Sequence, residues 1–306
     1  MTARRIIFRR TGPVGAALDR GAPVVALESS VLAQGLLPPF NRDAAVRMSE
    51  AVSRVGATPA ITAMIRGHAS LGLEGDDLER FLARDGIRKV SARDLAMAAA
   101  DGADGATTVA GTLALCTVAG IEVFATGGIG GVHRDAPFDE SADLVELARS
   151  SVIVVCAGAK SVLDLPATLE RLETLGVSVV GFGTRELPGF FTSTTGLRLP
   201  ASADDPGTIA RAWRAHRALA RPGAMLVVQP PPPEFALPAS LVDEATRAAL
   251  ASARAQGVTG AAVTPFLLGE VQKRTAGASV RVNLALLEAN AFLAGQIAVA
   301  LSALPA

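Results

Sequence analysis

The stretch SVIVVCAGAK, residues 151–160, decides the fold class of this chain. It contains a continuous apolar run rich in β-branched side chains, which is typical of a strand buried on both faces of a parallel sheet. Similar short runs predict strands at 23–28, 59–65, 121–126, 177–182 and 225–229. Ligands of open α/β sheets bind beyond the carboxyl ends of the strands, so Lys160 is predicted to lie where a ligand binds.

Longer segments rich in alanine and leucine separate these strands. They predict helices at 42–54, 76–84, 91–101, 107–119, 141–149, 161–175, 207–220, 239–256 and 283–303. Alternation of strands and helices along the chain favours a layered α/β/α fold with a largely parallel central sheet. No low-complexity linker interrupts the pattern, so residues 1–306 are expected to form one domain.

Composition narrows the choice of partners. The 29 basic residues balance 29 acidic ones, which gives no global attraction for nucleic acid or an anionic membrane. Aromatic residues make up only 4% of the chain, too few for a platform that stacks bases. Cys116 and Cys156 lie in apolar contexts, which predicts free buried thiols. With no signal peptide or long apolar run, we expect a cytoplasmic protein that binds neither nucleic acid nor membranes.

Lysine is scarce in this chain. Only Lys89, Lys160 and Lys273 are lysines, and every other basic residue is an arginine. A guanidinium group stays protonated, so a nucleophilic amine has to come from a lysine. Lys160 at a strand end is either an ordinary exposed side chain or an amine that attacks C1 of a sugar to form a Schiff base.

Glu28 also ends a predicted strand. An acid in this position is either satisfied by backbone donors or held in place for proton transfer. Its position in the sequence leaves both interpretations open.

Two glycine-containing loops are candidates for binding phosphate. TGGIGGVHR, residues 126–134, follows a predicted strand, and its backbone N–H groups with His133 and Arg134 suit an anion. GATTVAGT, residues 105–112, is a turn that enters a helix, whose free N–H groups attract phosphate. An ordinary glycine-rich turn is the alternative for each loop.

FDESADL, residues 138–144, places three carboxylates at a predicted helix start. They either cap the helix or hold a hard cation such as Mg²⁺ or Mn²⁺ beside a phosphorylated substrate. Asp139 and Asp143 are the best placed of the three. No cluster of histidine and cysteine is apparent in the sequence, which argues against zinc.

These motifs together resemble the pseudouridine-5′-phosphate glycosidases, a family that also contains the indigoidine synthase A-like proteins. The matching segments, in order, are ALESSVLAQGLLPPFN (26–41), VGATPAITAMIRG (55–67), RKVSARDL (88–95), GATTVAGT (105–112), FATGGIGGVHR (124–134), FDESADL (138–144), VVCAGAKSVLDLPATLE (154–170), GFGTRELPGFF (181–191), VTPFLL (263–268) and VNLALLEAN (282–290). The resemblance implies reversible cleavage of the C–C glycosidic bond of pseudouridine 5′-phosphate to uracil and ribose 5-phosphate. It also implies one divalent cation per subunit, typically Mn²⁺, and a homotrimer.

The resemblance assigns a role to individual residues. It makes Lys160 the nucleophile that opens the ribose and forms an adduct at C1′, and Glu28 the proton donor to the uracil carbon. Asp139 is implied as the metal ligand. Contacts with the substrate are implied for Lys89, Val109, Thr126, His133, Ser141, Ala142, Asp143 and Asn283.

Two departures from the family pattern concern specificity. Ala33-Gln34-Gly35 stands where relatives usually have a histidine before the glycine, and the stretch from His133 to Asp139 is shorter than usual. A Gln34 that lies in the pocket would alter base recognition, and the short loop bears on the metal geometry. The alternatives are a lysine-dependent lyase or aldolase acting on another phosphorylated sugar, and a non-catalytic protein that binds ribose phosphate.

Overall fold

The structure is a computed structural model that describes residues 8–134, 138–258 and 263–305. Its strands are β1 (Arg9–Arg10), β2 (Val24–Leu27), β3 (Thr58–Ile65), β4 (His68–Leu71), β5 (Arg88–Val90), β6 (Gly105–Thr107), β7 (Val123–Ala125), β8 (Ile153–Cys156), β9 (Ser178–Phe182), β10 (Ala201–Ala203) and β11 (Met225–Val228). Its helices are α1 (Gly12–Asp19), α2 (Phe40–Arg54), α3 (Gly75–Ala83), α4 (Leu95–Ala100), α5 (Val109–Ala119), α6 (Ala142–Arg149), α7 (Leu165–Thr174), α8 (Pro206–Ala218), α9 (Ala239–Ala255), α10 (Val263–Arg274) and α11 (Ala278–Ser302).

The strands form one sheet in the order β1-β4-β3-β2-β7-β8-β11-β9-β10, with β6 paired to β3 and β5 paired to β6. From β3 to β10 along this order, every neighbouring pair is parallel. Among the described strands, only β4 and β6 run antiparallel to their neighbour β3. The predicted α/β class with a largely parallel sheet is therefore confirmed.

Each predicted strand and helix is present, with ends that differ by a few residues. The segment 91–101 is divided into a 3₁₀ turn at Ala92–Asp94 and the short helix α4. The pattern did not predict α1, α10 or the short strands β1, β4, β5, β6 and β10. These strands have two to four residues, too few to show a hydrophobic period.

Burial explains why the middle strands are apolar throughout. Every residue of β8 is fully buried, and β2 and β11 are buried along their whole length. The helix α11 is long and apolar enough to cross a membrane, but 67% of its most apolar window is buried inside the protein. It packs against α2, α8 and the strands β2, β7 and β8, as the core helix of a globular fold does.

Both cysteines are free and buried, as predicted. Removal from water disfavours a thiolate, so burial raises the pKa of the Cys116 thiol and raises that of Cys156 to about 12. Neither thiol is a candidate nucleophile, because the reactive form of cysteine is the thiolate.

The order of the strands determines where chemistry can occur. Because β2, β7 and β8 are adjacent and parallel, their carboxyl ends meet at one edge of the sheet. Glu28 follows β2, Thr126 follows β7 and Lys160 lies four residues after the end of β8. Three residues far apart in the sequence are thereby brought to the same edge.

Candidate active site

A cavity of about 300 Å³ opens at this edge of the sheet. Its charged lining residues are Glu28, Arg84, Lys89 and Lys160. Phe190, Phe191, Leu268 and Val280 are among its apolar lining residues, and Asn283 of α11 adds an amide. The cavity therefore combines two amines, one carboxylate and an excess of positive charge.

Glu28 is 6% exposed and is held by two hydroxyl groups. Thr126 donates a hydrogen bond to Oε1 of Glu28, and Ser30 donates one to Oε2. The two donors to Glu28 are thus side-chain hydroxyl groups. One interpretation of the sequence had expected backbone N–H groups in their place. Because both oxygens are restrained, the carboxyl group has a defined direction in the wall of the cavity.

Thr126 is itself positioned by a relay of amides. Nδ2 of Asn290 donates to the carbonyl of Thr126 at 2.8 Å, and Nε2 of Gln229 donates to Oδ1 of Asn290 at 2.9 Å. Asn290 is 1% exposed and lies on α11, a helix composed mostly of apolar residues. Sequence reasoning did not assign it a role, although a buried asparagine in an apolar helix is a signal that could have found it.

Lys160 stands on a short turn beyond β8. Its backbone N–H donates to Ile129 at 3.1 Å, and its carbonyl accepts from Leu163 at 3.0 Å. Arg134 donates to the carbonyls of Ser161 and Leu163 at 3.2 and 3.0 Å, so it braces this turn. In this position the Arg134 guanidinium stabilises the turn, whereas one interpretation of the sequence had it bind a phosphate.

Lys89 faces the same cavity from β5. Although part of Lys89 is exposed to solvent, desolvation of its amine in the cavity lowers the pKa of this group. The nearby positive charge of Lys160 lowers this pKa further. Glu28 and Asp143 act on this pKa in the opposite direction. Four ionisable groups therefore interact in one site.

The glycine-rich loop does not present a row of free amides. The N–H groups of Ile129, Gly130, Val132 and His133 donate to Gly158, Asp143, Thr168 and Asp139, all within 3.0 Å. The predicted phosphate cradle is wrong for these four groups because protein acceptors already occupy them. Gly130 serves close packing instead, since a Cβ atom there would clash with Oγ of Ser141.

Asp143 joins three elements of the site. It is 6% exposed, and its two oxygens accept from the N–H groups of Ala110 at 2.9 Å and Gly130 at 2.8 Å. Its carboxylate thus accepts hydrogen bonds from backbone N–H groups of the first turn of α5 and of the glycine loop. Because both oxygens have these partners, the arrangement does not favour Asp143 as a metal ligand. Within the described residues, the amide of Val109 in that turn has no protein acceptor.

Ser141 and Ala142 lie at the start of α6, where Ser141 accepts from the N–H of Asp143 at 3.2 Å. His133 and Asp139 lie together farther along the same loop, with Nδ1 of His133 4.0 Å from Oδ2 of Asp139. Residues 135–137 of the shortened loop lie outside the described residues. The structure therefore groups Glu28, Lys89, Lys160 and Asn283 in the lining of the cavity. Thr126 adjoins it through its hydrogen bond to Glu28. The other predicted site residues are not among the lining residues: Val109, His133, Asp139, Ser141, Ala142 and Asp143.

Asp139 is the predicted metal ligand. Its side chain is 49% exposed, and no protein hydrogen bond to its carboxylate oxygens is present among the described residues. The described part of the chain contains no group of three or more candidate ligands. A single exposed carboxylate fits a hard cation that takes its other ligands from water and substrate, and does not fit a cation enclosed by protein ligands.

The cavity is also lined by residues that had no catalytic role in the sequence-based predictions. Ser30 reaches Glu28, Gln34 and Arg84 line the wall, and α10 contributes Leu268 and Gln272. Phe190 and Phe191 belong to the matched segment 181–191, but nothing local in that segment indicates a cavity wall. An amine and a restrained acid in a largely apolar, positively charged cavity suit covalent chemistry on an anionic carbonyl compound.

Comparison with known proteins gives a consistent result over nearly the whole chain. Residues 13–300 match the family model described as indigoidine synthase A like protein. A pseudouridine-5′-phosphate glycosidase of Gemmatimonas aurantiaca is 71% identical over 301 residues, which cover 98% of each protein. A pseudouridine-5′-phosphate glycosidase of Herpetosiphon aurantiacus is 52% identical, covering 94% of this chain and 96% of its own length.

Two solved structures share the fold. A prealnumycin C-glycosynthase, AlnA, in complex with ribulose 5-phosphate has a TM-score of 0.90 and 37% identity, covering 97% of each chain. An indigoidine synthase A-like protein of Thermotoga maritima has a TM-score of 0.90 and 33% identity, covering 99% of each chain. Similarity of this extent includes every element that forms the cavity.

Proposed function

The chain belongs to the indigoidine synthase A-like family, and from that membership we propose that it is an enzyme that reversibly cleaves the C–C glycosidic bond of pseudouridine 5′-phosphate. Uracil and ribose 5-phosphate are the products. The observation that carries the proposal is that Lys160 and the restrained acid Glu28 line the same cavity. The names of the two pseudouridine-5′-phosphate glycosidases that match nearly the whole chain support the choice of substrate.

A C–C glycosidic bond presents a specific difficulty. The base leaves through carbon, so there is no bridging oxygen or nitrogen to protonate, and the paired-carboxylate route of glycoside hydrolysis is poorly suited. An amine resolves this difficulty by displacing the ring oxygen from C1′: the N–C1′ bond forms, the C1′–O4′ bond breaks, and the ring oxygen becomes a hydroxyl group by taking up the proton that the amine loses. The nitrogen lone pair of that adduct then forms an imine while the C1′–C5 bond breaks.

Each residue then has a defined task. Lys160 supplies the amine, and Glu28 gives a proton to C5 of uracil as the bonding electrons pass to that carbon. Water hydrolyses the imine, which releases open-chain ribose 5-phosphate and restores the amine of Lys160. Thr126 and Ser30 keep the carboxyl group of Glu28 in place through this sequence.

The phosphate requires positive charge. Lys89 faces the cavity with Lys160 and Arg84, so the net charge of the lining residues favours an anion. We assign further substrate contacts to Asn283, to the amide of Val109, and to His133 and the start of α6 at Ser141, Ala142 and Asp143. A bound Mn²⁺ would add positive charge beside substrate oxygens, and Asp139 would hold it with water completing its coordination.

The assembly and location follow from the same proposal. We propose a homotrimer in the cytoplasm, with one divalent cation per subunit. Free buried thiols accord with a reducing compartment.

A second candidate is a lysine-dependent reaction on another pentose phosphate. The complex of AlnA with ribulose 5-phosphate supports it, because that related fold accommodates a different pentose phosphate. A non-catalytic protein that binds ribose phosphate is a third possibility, and it predicts binding without turnover.

One chromatographic experiment tests the proposal. Purified protein is incubated with pseudouridine 5′-phosphate and Mn²⁺, and uracil is quantified, with Lys160→Ala run in parallel. We expect uracil from the wild type alone, and borohydride should trap a pentose phosphate on the wild-type protein. Folded wild-type protein that releases no uracil would contradict the proposed substrate, and a panel of pentose phosphates would then test the second candidate.

A further inference from the structure

Gln34 lies in the turn that follows Glu28, on the wall of the candidate active site. Residues Val31–Gly35 form one turn of π-helix, and Gln34 lines the same cavity as Glu28 and Lys160. Single π-helical turns are rare and occur frequently at functional sites. The position of Gln34 in such a turn therefore favours a role for its side chain in binding a ligand.

The amide of Gln34 is only half paired. Its Nε2 donates to the carbonyl of Ile87 at 3.2 Å. Its Oε1 is buried and accepts no hydrogen bond among the described residues. Four other described residues also have a buried side-chain atom without a partner, but none of those four residues lines this cavity. A buried acceptor without a donor is unfavourable, so a ligand that supplies the donor gains from it.

The orientation of this amide is defined by its neighbours. Nε of Arg84 donates to the carbonyl of Ala33 at 2.7 Å, which holds the π-turn against the end of α3. Exchanging the two ends of the Gln34 amide would bring Oε1 against the carbonyl oxygen of Ile87, two acceptors facing each other. Nε2 therefore donates to Ile87, and Oε1 is the atom of this side chain that is left without a protein partner.

We propose, on the basis of the function proposed above, that Gln34 determines specificity for the base by accepting a hydrogen bond at Oε1 from a ring N–H of uracil. The chemistry of the substrate supports this match. A dianionic phosphate has no proton to donate, whereas a uracil ring joined through C5 carries N–H groups at both N1 and N3. Uridine 5′-phosphate is joined through N1 and retains only one of these donors.

The test compares substrates that differ only in the base. Rates of uracil or methyluracil release are measured for pseudouridine 5′-phosphate and for its 1-methyl and 3-methyl forms, with wild type and with Gln34→Met. A site built around a hydrogen bond rejects an analogue that lacks the donor, so one methyl group should lower wild-type kcat/KM by about 100-fold or more. Gln34→Met should process the parent substrate more slowly and should reduce that discrimination to below about tenfold.

The ratio of kcat/KM for the parent substrate to kcat/KM for a methylated substrate distinguishes recognition of the base from a structural role of Gln34. Gln34 also contacts Ile87, two residues before Lys89, so a displaced Lys89 would slow both substrates equally and leave the ratio unchanged. Gln272→Met is the matched control, since Gln272 lines the same cavity from α10 and should keep the wild-type ratio.

Three results would overturn the inference. Discrimination that is unchanged in Gln34→Met shows that Gln34 does not read the base, while the proposed function stands. Equal loss of discrimination in Gln34→Met and Gln272→Met shows that the effect is not specific to Gln34. No base released by wild type from any of the three substrates contradicts the proposed function, and the role of Gln34 with it.

Discussion

Two cavities at opposite ends of the same strands differ in size and in chemistry. The larger, about 710 Å³, lies at the amino ends of β2 and β7, where Val24 and Val123 line it. The smaller, about 300 Å³, lies beyond the carboxyl ends and contains Glu28 and Lys160. Volume alone would select the larger cavity.

Ion pairing of the charged side chains identifies the smaller cavity as the candidate active site. In the larger cavity, Arg214 lies 3.7 Å from Glu122, which also accepts from Trp213 at 2.9 Å, and Arg10 pairs with Asp19 at 2.9 Å. In the smaller cavity, neither Lys89 nor Lys160 has a carboxylate oxygen within 4.0 Å among the described residues. Charges that neutralise one another stabilise the fold, whereas uncompensated amines beside a restrained acid are available for chemistry.

The largest expected effect is the loss of the amine. Lys160→Ala should lower uracil release by at least about 10³-fold, since it removes the amine that we assign to the adduct at C1′. Lys160→Arg should be equally inactive, because it keeps the charge without a nucleophilic amine. Rates by chromatography, with circular dichroism to verify folding, provide the measurement. Lys273→Ala is the control, since Lys273 is 76% exposed and pairs with Glu270, and substantial activity in Lys160→Arg would remove the nucleophile assignment.

A carboxyl group in each cavity allows the same substitution to be compared. Glu28→Gln should lower kcat by about 10²–10⁴-fold, because it removes the proton donor and retains the volume. Glu122→Gln at the other end of the sheet should leave kcat near that of wild type. Steady-state rates and melting temperatures of both variants are measured together. If Glu28→Gln turned over like wild type, another group would have to protonate C5.

Removal of metal ions tests whether Asp139, in the loop beyond β7, binds a cation that the reaction needs. If the proposed cation is present, chelation with EDTA should reduce activity by about 10-fold or more and Mn²⁺ should restore it, because a bound cation would neutralise charge on substrate oxygens. Asp139→Asn should retain little activity even with Mn²⁺ in excess, and calorimetry should show weakened Mn²⁺ binding. Asp143→Asn should instead lower the melting temperature, since its oxygens hold the amides of Ala110 and Gly130. Full activity after complete metal removal would contradict the assignment of Asp139.

The smallest expected effect is a shift in pH dependence. The pKa of Lys89 is lowered by desolvation and by Lys160, so Lys89 loses its proton, and its hold on phosphate, at a lower pH than an exposed lysine would. Replacing Lys160 with alanine removes a positive neighbour, which raises the pKa of Lys89. Binding of ribose 5-phosphate measured against pH should therefore weaken on the alkaline side, at a higher pH in Lys160→Ala than in wild type. If alkaline loss of binding occurred at the same pH in both proteins, the charge of Lys160 would not influence the pKa of Lys89.

Part of this site was predictable because its signals are local. The apolar runs before Glu28 and Lys160 predicted buried strands, and the strand ends predicted a ligand site at these residues. The sequence left two interpretations of the glycine loop open because glycine permits both an exposed anion cradle and close packing. The contact of Ser141 with Gly130 and the acceptor Asp143 decide between them, and neither is visible in the loop sequence.

The sequence by itself determined the α/β class, the buried strands, and the presence of an amine and an acid at strand ends. Those properties depend on hydrophobic patterns within a few residues, which the chain carries locally. The tertiary structure alone decided that β2, β7 and β8 are neighbours, and that Asn290 reaches Thr126 across 164 residues. It also decided that Gln34 lines the cavity with an unpaired acceptor. Contacts of this kind follow from strand order and packing, which no local pattern specifies.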